Sequence, residues 1–139
     1  MHKEILKRLS KRFEAYDELA ATLDDALLKQ KIEVPKHKSL AEHLWCVIGA
    51  RESYAKALSE GAWAGFACSM TSYGAGDYRL SLRQSGKVVQ EAIAGVEDWT
   101  EESHSLLASL AEHEVMHEGQ IIRHMYALER TLPESWFWA

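Results

Sequence analysis

The sequence is poor in residues that interrupt regular structure. It contains two prolines and eight glycines among 139 residues, which favours long continuous elements over many short turns. It has no apolar run long enough to cross a bilayer. The first 20 residues are charged throughout and lack the apolar core of an export signal. We therefore expect one soluble domain over residues 1–139, located in the cytoplasm.

Cysteines and basic surface are also scarce. Cys46 and Cys68 lack the short spacing of a metal-binding pair, and in a chain without an export signal they are expected to be reduced thiols. The formal net charge is −5, from 16 basic and 21 acidic residues. Short basic clusters occur only at residues 7–12 and 36–38, so we expect neither a nucleic-acid partner nor a membrane partner.

Apolar residues recur at three- and four-residue steps, which predicts amphipathic helices. The first stripe spans roughly seven turns and ends before the segment 31–38, which contains a proline. Its members are Ile5, Leu9, Phe13, Tyr16, Leu19, Ala20, Leu23 and Leu27. The second helix begins at the S-x-x-E capping box of Ser39 and Glu42 and ends before Gly61. Glu42 therefore has a structural role.

Two further helices follow a long connection. The third is expected from about Asp77 to Gly95, and the fourth from an N-cap at Thr100 to about Arg130. No segment has the alternation of a strand, so the expected fold is all-α, a four-helix bundle. The long connection, residues 59–76, either lines a pocket or carries Trp63 and Phe66 into the core.

Histidines are concentrated near the end of the chain. His113 and His117 lie four residues apart, and Gln120 and His124 fall within about 40° of the same helical line. That line runs close to Leu106, Leu110 and Leu128, so these side chains are expected to face the bundle interior. His124 lies about 10.5 Å beyond His117 along the axis and is expected to be a hydrogen-bonded core or interface residue.

A third histidine of this kind occurs in the second helix. His43 lies on that helix's apolar face, and buried imidazoles require partners. Three neutral imidazoles from two facing helices would bind a divalent metal ion and leave one coordination position open. The remaining histidines lie near element ends and are expected at the surface: His2, His37 and His104.

Two other interpretations of the histidines remain open. Residues 113–117 match the H-E-x-x-H pattern of zinc proteases, with Glu114 in the place of the general base. Against this, the sequence predicts no sheet to bind a peptide, and no third ligand follows at the customary distance. Alternatively, the chain is a helical interaction module in which the histidines are incidental.

Two segments together resemble the DinB-like, metal-binding four-helix proteins, which are related to the YfiT-like hydrolase group. "HEVMHEGQIIRHMYAL" is similar to the last-helix motif of that family, and "SLAEHLWCVIGARESY" is similar to its second helix. The resemblance spans nearly the whole chain. It implies that His43, His113 and His117 bind a divalent ion, with Zn²⁺ or Ni²⁺ expected first.

The resemblance also suggests roles for two neighbouring residues and an assembly state. Gly119 matches the glycine of the motif, where close packing against a neighbouring helix would justify it. Gln120 matches the glutamine and is a candidate catalytic residue that orients a ligand or a water molecule. A homodimer is implied, with Trp136, Trp138 and exposed helix faces as candidate contacts. The chain is short for the family, so its pocket is expected to differ or to be completed by a second subunit.

The function implied by the resemblance is that of a metal-dependent enzyme, either a thiol S-transferase or a hydrolase. It would act on a small-molecule substrate, with a low-molecular-weight thiol as one candidate. Glu114 and Glu118 point about 100° or more from the ligand line and receive no role. Cys46 either approaches the site or is a small buried residue. The alternative is a non-catalytic metal-binding or stress-associated protein.

Overall fold

The computed structural model describes residues 1–137, and this part of the chain is helical. Its elements are α1 (His2–Ala20), α2 (Asp25–Lys29), α3 (Leu40–Glu60), α4 (Ala75–Gly95), α5 (Glu101–Ala127) and a 3₁₀ turn, Glu134–Trp136. No strand occurs within the described residues. The expectation of an all-α fold is confirmed.

The prediction of a single first helix is wrong, because this segment forms two helices. α1 ends at Ala20, where the Thr22 hydroxyl donates a hydrogen bond to the carbonyl of Leu19 at 2.7 Å. Asp24 then caps α2 by accepting from the backbone N–H of Leu27 at 2.7 Å. Such side-chain bonds to the backbone compete with helix continuation. The apolar periodicity persists across the break because Leu27 is buried in α2 just as Leu19 is buried in α1.

The ends of the later helices follow the predicted chemistry closely. Ser39 and Glu42 form the complete capping box of α3, and Gly61 ends this helix with a φ of 80°, a conformation that glycine adopts without strain. The hydroxyl of Thr100 accepts from the N–H of Ser103 and caps α5. α4 begins at Ala75, and α5 ends at Ala127, three residues before the predicted end.

The four long helices pack around a core that contains buried polar groups. α3 packs against α4 and α5, and α1 packs against the same two helices. One apolar cluster lies around Tyr16, Ile48 and Leu82, and a second lies around Phe13 and Val89. The buried side chain of Arg51 contacts both Phe13 and Tyr16, with its guanidinium carbon 4.3 and 5.0 Å from the ring centroids. Charged groups therefore lie where the two apolar clusters meet.

The end of the described chain packs on α1. Trp136 is 1% exposed, and its indole N–H donates to the carbonyl of Ala15 at 2.8 Å. Its ring also meets Tyr16 edge to face. Trp136 is thus an intramolecular contact, and the expectation that it contributes to a dimer interface is wrong. Trp138 lies outside the described residues.

Among residues 1–137, no helix is both long enough and apolar enough to cross a bilayer.

Candidate metal centre

The interior side of α5 carries charged residues as well as histidines. Glu114, His117, Glu118 and His124 are buried, whereas His113 is half-buried and Gln120 is exposed. The histidine line therefore forms one flank of the buried side, whose middle passes through Glu114. Of the four polar residues that the sequence placed in the interior, only His117 and His124 are fully enclosed.

His43 and His117 meet inside the bundle. Their Nδ1 atoms lie 2.9 Å apart and share a hydrogen bond, and their ring centroids are 5.2 Å apart. His113 lies next to His117, with ring centroids separated by 4.5 Å. α3 and α5 thus bring the three predicted ligands into one contiguous cluster.

Two more histidines extend this cluster. His37 stacks on His124 with centroids 5.2 Å apart, and His37 Nε2 lies 3.1 Å from His124 Nδ1. The ring of His37 also meets that of His43 at 5.9 Å. His124 is therefore the hydrogen-bonded core residue that the sequence predicted. The expectation that His37 is a surface residue is wrong, because the segment before α3 folds back onto α5.

Burial keeps the central imidazoles neutral. Desolvation, followed by electrostatic interactions with His37 and Lys38, lowers the pKa of His43 to about 4. Desolvation and the neighbouring His113 lower the pKa of His117 to about 3. Desolvation also lowers the pKa of His113. Neutral imidazole is the form that binds metal ions.

The donors can be compared with the geometry of a metal site. Two nitrogens bound to one ion at right angles, with usual bond lengths, lie about 2.9 Å apart, and at a tetrahedral angle about 3.3 Å apart. The 2.9 Å between His43 and His117 falls at the first value. His113 Nδ1 and His43 Nε2 are buried and have no hydrogen-bond partner in the described chain. Imidazole nitrogens are donors that divalent ions accept, and the spacing of the His43–His117 pair is compatible with a shared ion. His43 Nε2 points away from Nδ1 and cannot join the same ion.

A third donor nitrogen is not in place beside the His43–His117 pair. Within residues 1–137, no three His, Cys, Asp or Glu side chains form a complete arrangement for a metal ion. His113, the remaining candidate, is half-buried, and partly exposed side chains change rotamer rapidly.

The histidine cluster borders an open cleft of about 530 Å³. The residues around this cleft come from the segment before α3, from α3, from the long connection and from α5: Lys38, Trp45, Cys46, Phe66, His113, Met116, His117 and Gln120. The connection between α3 and α4 therefore lines a pocket. The alternative, that it carries Trp63 and Phe66 into the core, is wrong, since they are 45% and 46% exposed.

Cys46 is a lining residue of the cleft. Its thiol accepts a hydrogen bond from the Lys38 ammonium at 3.2 Å, and its side chain is partly exposed. Of the two sequence-based interpretations, the one that brings Cys46 toward the histidines agrees with this position.

Glu114, the general base in the protease interpretation, is engaged elsewhere. Arg51 Nη2 donates to Glu114 Oε2 at 3.0 Å, and Arg51 Nε donates to Oε1. Both side chains have no exposed surface. A carboxylate held by a buried arginine on both oxygens is not placed to contact a water molecule on a metal ion. Together with the absence of strands among residues 1–137, this argues against a zinc protease.

Glu118 has a similar partner. Its Oε2 atom lies 3.0 Å from Arg12 Nη1. Sequence reasoning missed both ion pairs, although one signal was present. Glu114 and Glu118 continue the three- and four-residue steps of Leu107, Leu110 and Ile121, which are all buried. Charged residues at apolar positions indicate buried partners of opposite sign.

Gly119 does not support the expected close helix packing. A methyl group added at this position would meet no atom within 4 Å, and the residue is exposed. The expectation that this glycine permits a tight contact within the chain is therefore wrong.

Comparison with known proteins leaves the family open. No family model, no curated protein and no solved structure gives a match to this chain. The function of this chain is therefore inferred from the histidine cluster and its cleft.

Proposed function

We propose that this chain is a divalent-metal-binding protein with a four-helix bundle of the DinB-like type. His43, His113 and His117 would hold the ion, with Zn²⁺ or Ni²⁺ as the first candidates. The observation that carries the proposal is the 2.9 Å approach of two buried imidazole nitrogens, those of His43 and His117, beside an open cleft. Clustered buried imidazoles are costly unless something binds them together.

The proposed activity is metal-dependent transfer to a small thiol. A bound divalent ion lowers the pKa of a thiol or a water molecule that reaches it. Among the described residues, no Asp or Glu lines the cleft, and Glu114 is held by Arg51. A hydrolase of this design would lack a nearby carboxylate as general base. Since a thiol ionises more readily than water, thiol transfer is favoured over hydrolysis.

The cleft residues would position the substrate. The amide of Gln120 is exposed beside His113 and His117 and can both donate and accept hydrogen bonds. In this proposal it orients the reacting molecule against the histidines and does not bind the ion. Lys38 supplies the only permanent charge among the lining residues.

The sequence-based expectations of a homodimer and of a cytoplasmic location are retained as predictions. Val115 of α5 is 48% exposed, and such an apolar side chain is a candidate for contact with a second copy.

One experiment tests the metal proposal and separates enzyme from binding protein. The protein is loaded with Zn²⁺ or Ni²⁺, its bound metal is counted, and conjugation of small thiols to electrophiles is assayed. His117→Ala should remove most of the bound metal, whereas His104→Ala should not. His104 is a suitable control because it lies about 13 Å along α5 from His113 and bonds to the Thr100 carbonyl.

The same assay tests Gln120. Gln120→Ala should retain the metal and reduce turnover about ten-fold, in the range seen for residues that orient metal sites. Full metal occupancy without turnover on any thiol would support the non-catalytic alternative. Unchanged metal content in His117→Ala would reject the three-histidine site altogether.

A further inference from the structure

The residues that line the cleft fall into two chemical groups. Trp45, Phe66 and Met116 offer two aromatic rings and a thioether, and Phe66 and Met116 are nearly half exposed. Lys38 is the cationic member. Among the described residues, the adjoining pocket contains the carboxylate of Glu42, which accepts from the N–H of Ser39 at 2.6 Å. A volume of about 530 Å³ lies within the usual range of small-molecule sites.

Phe66 is held at the cleft by the segment that follows it in the chain. The ring lies 5.2 Å from that of Trp45. The hydroxyl of Ser53 accepts from the N–H of Ala67 at 2.9 Å and donates to its carbonyl at 3.1 Å. The carboxylate of Glu52 accepts from the N–H and the hydroxyl of Ser69 at 2.8 and 2.6 Å. An exposed aromatic side chain is thus fixed against α3 by four hydrogen bonds.

Gly49 makes room for this ring. A methyl group at position 49 would lie 2.3 Å from Phe66 Cζ and 3.0 Å from Cys68 Cβ. Any other side chain at this position would displace the ring from its place on α3. The position of Phe66 therefore depends on a glycine in the middle of a helix, where glycine costs about 1 kcal/mol relative to alanine.

The cationic group is also held in place. The hydrogen bond from the Lys38 ammonium to the Cys46 thiol keeps the charge at the cleft. Lys38 directly precedes the N-cap of α3, Ser39. An ammonium beside aromatic rings offers a counter-charge for an anion attached to an apolar body.

We propose that the cleft binds a small aromatic molecule carrying one anionic group. The ring would pack against Phe66, Trp45 and Met116, with favourable aromatic and sulfur contacts, and the anion would pair with Lys38. This assignment names the substrate class of the proposed metal site and rests on that proposal for its place beside the reacting centre.

The experiment measures ligand affinity in metal-free protein, so that it does not depend on the ion. Phenylacetate is compared with 2-phenylethanol, acetate and benzylamine by calorimetric titration in the presence of a chelator. Phenylacetate should bind several-fold more tightly than each of the other three. Equal binding of acetate or benzylamine, or no binding of phenylacetate at millimolar concentration, would overturn the proposal.

Variants assign the two parts of the site. Lys38→Gln should weaken phenylacetate about five-fold, the upper range for an exposed charge pair, and leave 2-phenylethanol unchanged. Lys87→Gln is the matched control, since Lys87 pairs with Glu91 on α4. Gly49→Ala and Phe66→Ala should weaken both ligands. Phe66→Ala removes an exposed ring and keeps the test valid if Gly49→Ala unfolds the protein.

The outcomes separate this inference from the proposed function. Selective binding of phenylacetate in the chelator titration would support the cleft assignment, and failure of the same protein to bind Zn²⁺ or Ni²⁺ when the ion is supplied without chelator would reject the metal proposal alone. Stoichiometric metal binding without preference for phenylacetate would reject the cleft assignment alone.

Discussion

The central histidines are unusual at the scale of single residues because they are buried as neutral bases. The pKa of an imidazole in an unfolded chain is near 6.5, whereas burial lowers that of His43 to about 4 and that of His117 to about 3. The folded protein therefore resists protonation that the unfolded chain accepts. A metal ion would compete with protons for the same nitrogens.

This difference predicts acid sensitivity of the metal-free protein. As the pH falls below 6.5 the unfolded chain binds more protons than the folded chain, so the free energy of unfolding should decrease between pH 6.5 and about 4. Urea unfolding with a chelator at pH 7.5 and at pH 5 would measure the loss. His117→Gln should reduce the difference between the two pH values, and His104→Gln should leave it unchanged. A free energy of unfolding that does not change over this interval would show that these imidazoles are not buried as neutral bases.

The Arg51–Glu114 pair should be the most sensitive polar contact of the core. Glu114→Gln keeps the shape of the side chain but leaves the buried guanidinium of Arg51 without its counter-charge, since both residues are fully buried. We expect the free energy of unfolding to fall by about 3 kcal/mol. Glu112→Gln, an exposed neighbour on α5, serves as the control and should change stability by less than about 0.5 kcal/mol.

A double replacement sharpens this test. Replacing both members by methionine removes the two charges together and should restore much of the stability lost in Glu114→Gln. An unchanged unfolding midpoint in Glu114→Gln would mean that Arg51 does not engage the carboxylate. Glu114 would then be available as the general base that the protease interpretation requires.

For single residues, local spacing could be predicted from the sequence, whereas partners distant along the chain could not. The spacing of His113 and His117 and the position of His43 on an apolar stripe were sufficient to predict that these three lie together. The pairing of Arg51 with Glu114 joins residues 63 positions apart, and nothing local in either segment specifies such a partner. His37 was likewise unpredictable, because only the folded path of the segment before α3 brings it to His124.

At the scale of elements, the capped helix ends were the most predictable features. The bonds of Ser39, Glu42 and Thr100 form within four residues, so they depend little on tertiary structure. The division between α1 and α2 was missed because apolar periodicity continues across it. The rotation of α5 was also missed. Its buried side is centred about 80° from His113, since Glu114 and Glu118 were not counted among interior residues.

Gly119 offers a test at this scale. Because a methyl group there would meet open space, Gly119→Ala should raise the free energy of unfolding by about 1 kcal/mol through helix propensity. Gly86→Ala is the matched control on α4, where the methyl group would press on the Phe13 ring at 3.2 Å; it should gain less or lose stability. A loss of stability or of self-association in Gly119→Ala would indicate that a second copy covers this part of α5.

At the scale of the whole molecule, the four long helices enclose two apolar clusters, and the Arg51–Glu114 ion pair lies between these clusters. His113 and His117 lie on the side of this pair that borders the cleft. Buried polar groups of this kind limit the number of acceptable packings. The bundle can thus hold α3 and α5 at the separation that brings His43 to His117.

The most direct test of the account is the ligand set of the metal-loaded protein. A crystal structure with anomalous data at the absorption edge of Zn²⁺ or Ni²⁺ would locate the ion and its ligands together. We expect one ion bound by nitrogens of His43, His113 and His117, with the His113 ring rotated toward the other two. An ion bound elsewhere, or a His43–His117 hydrogen bond that persists at saturating metal, would contradict it.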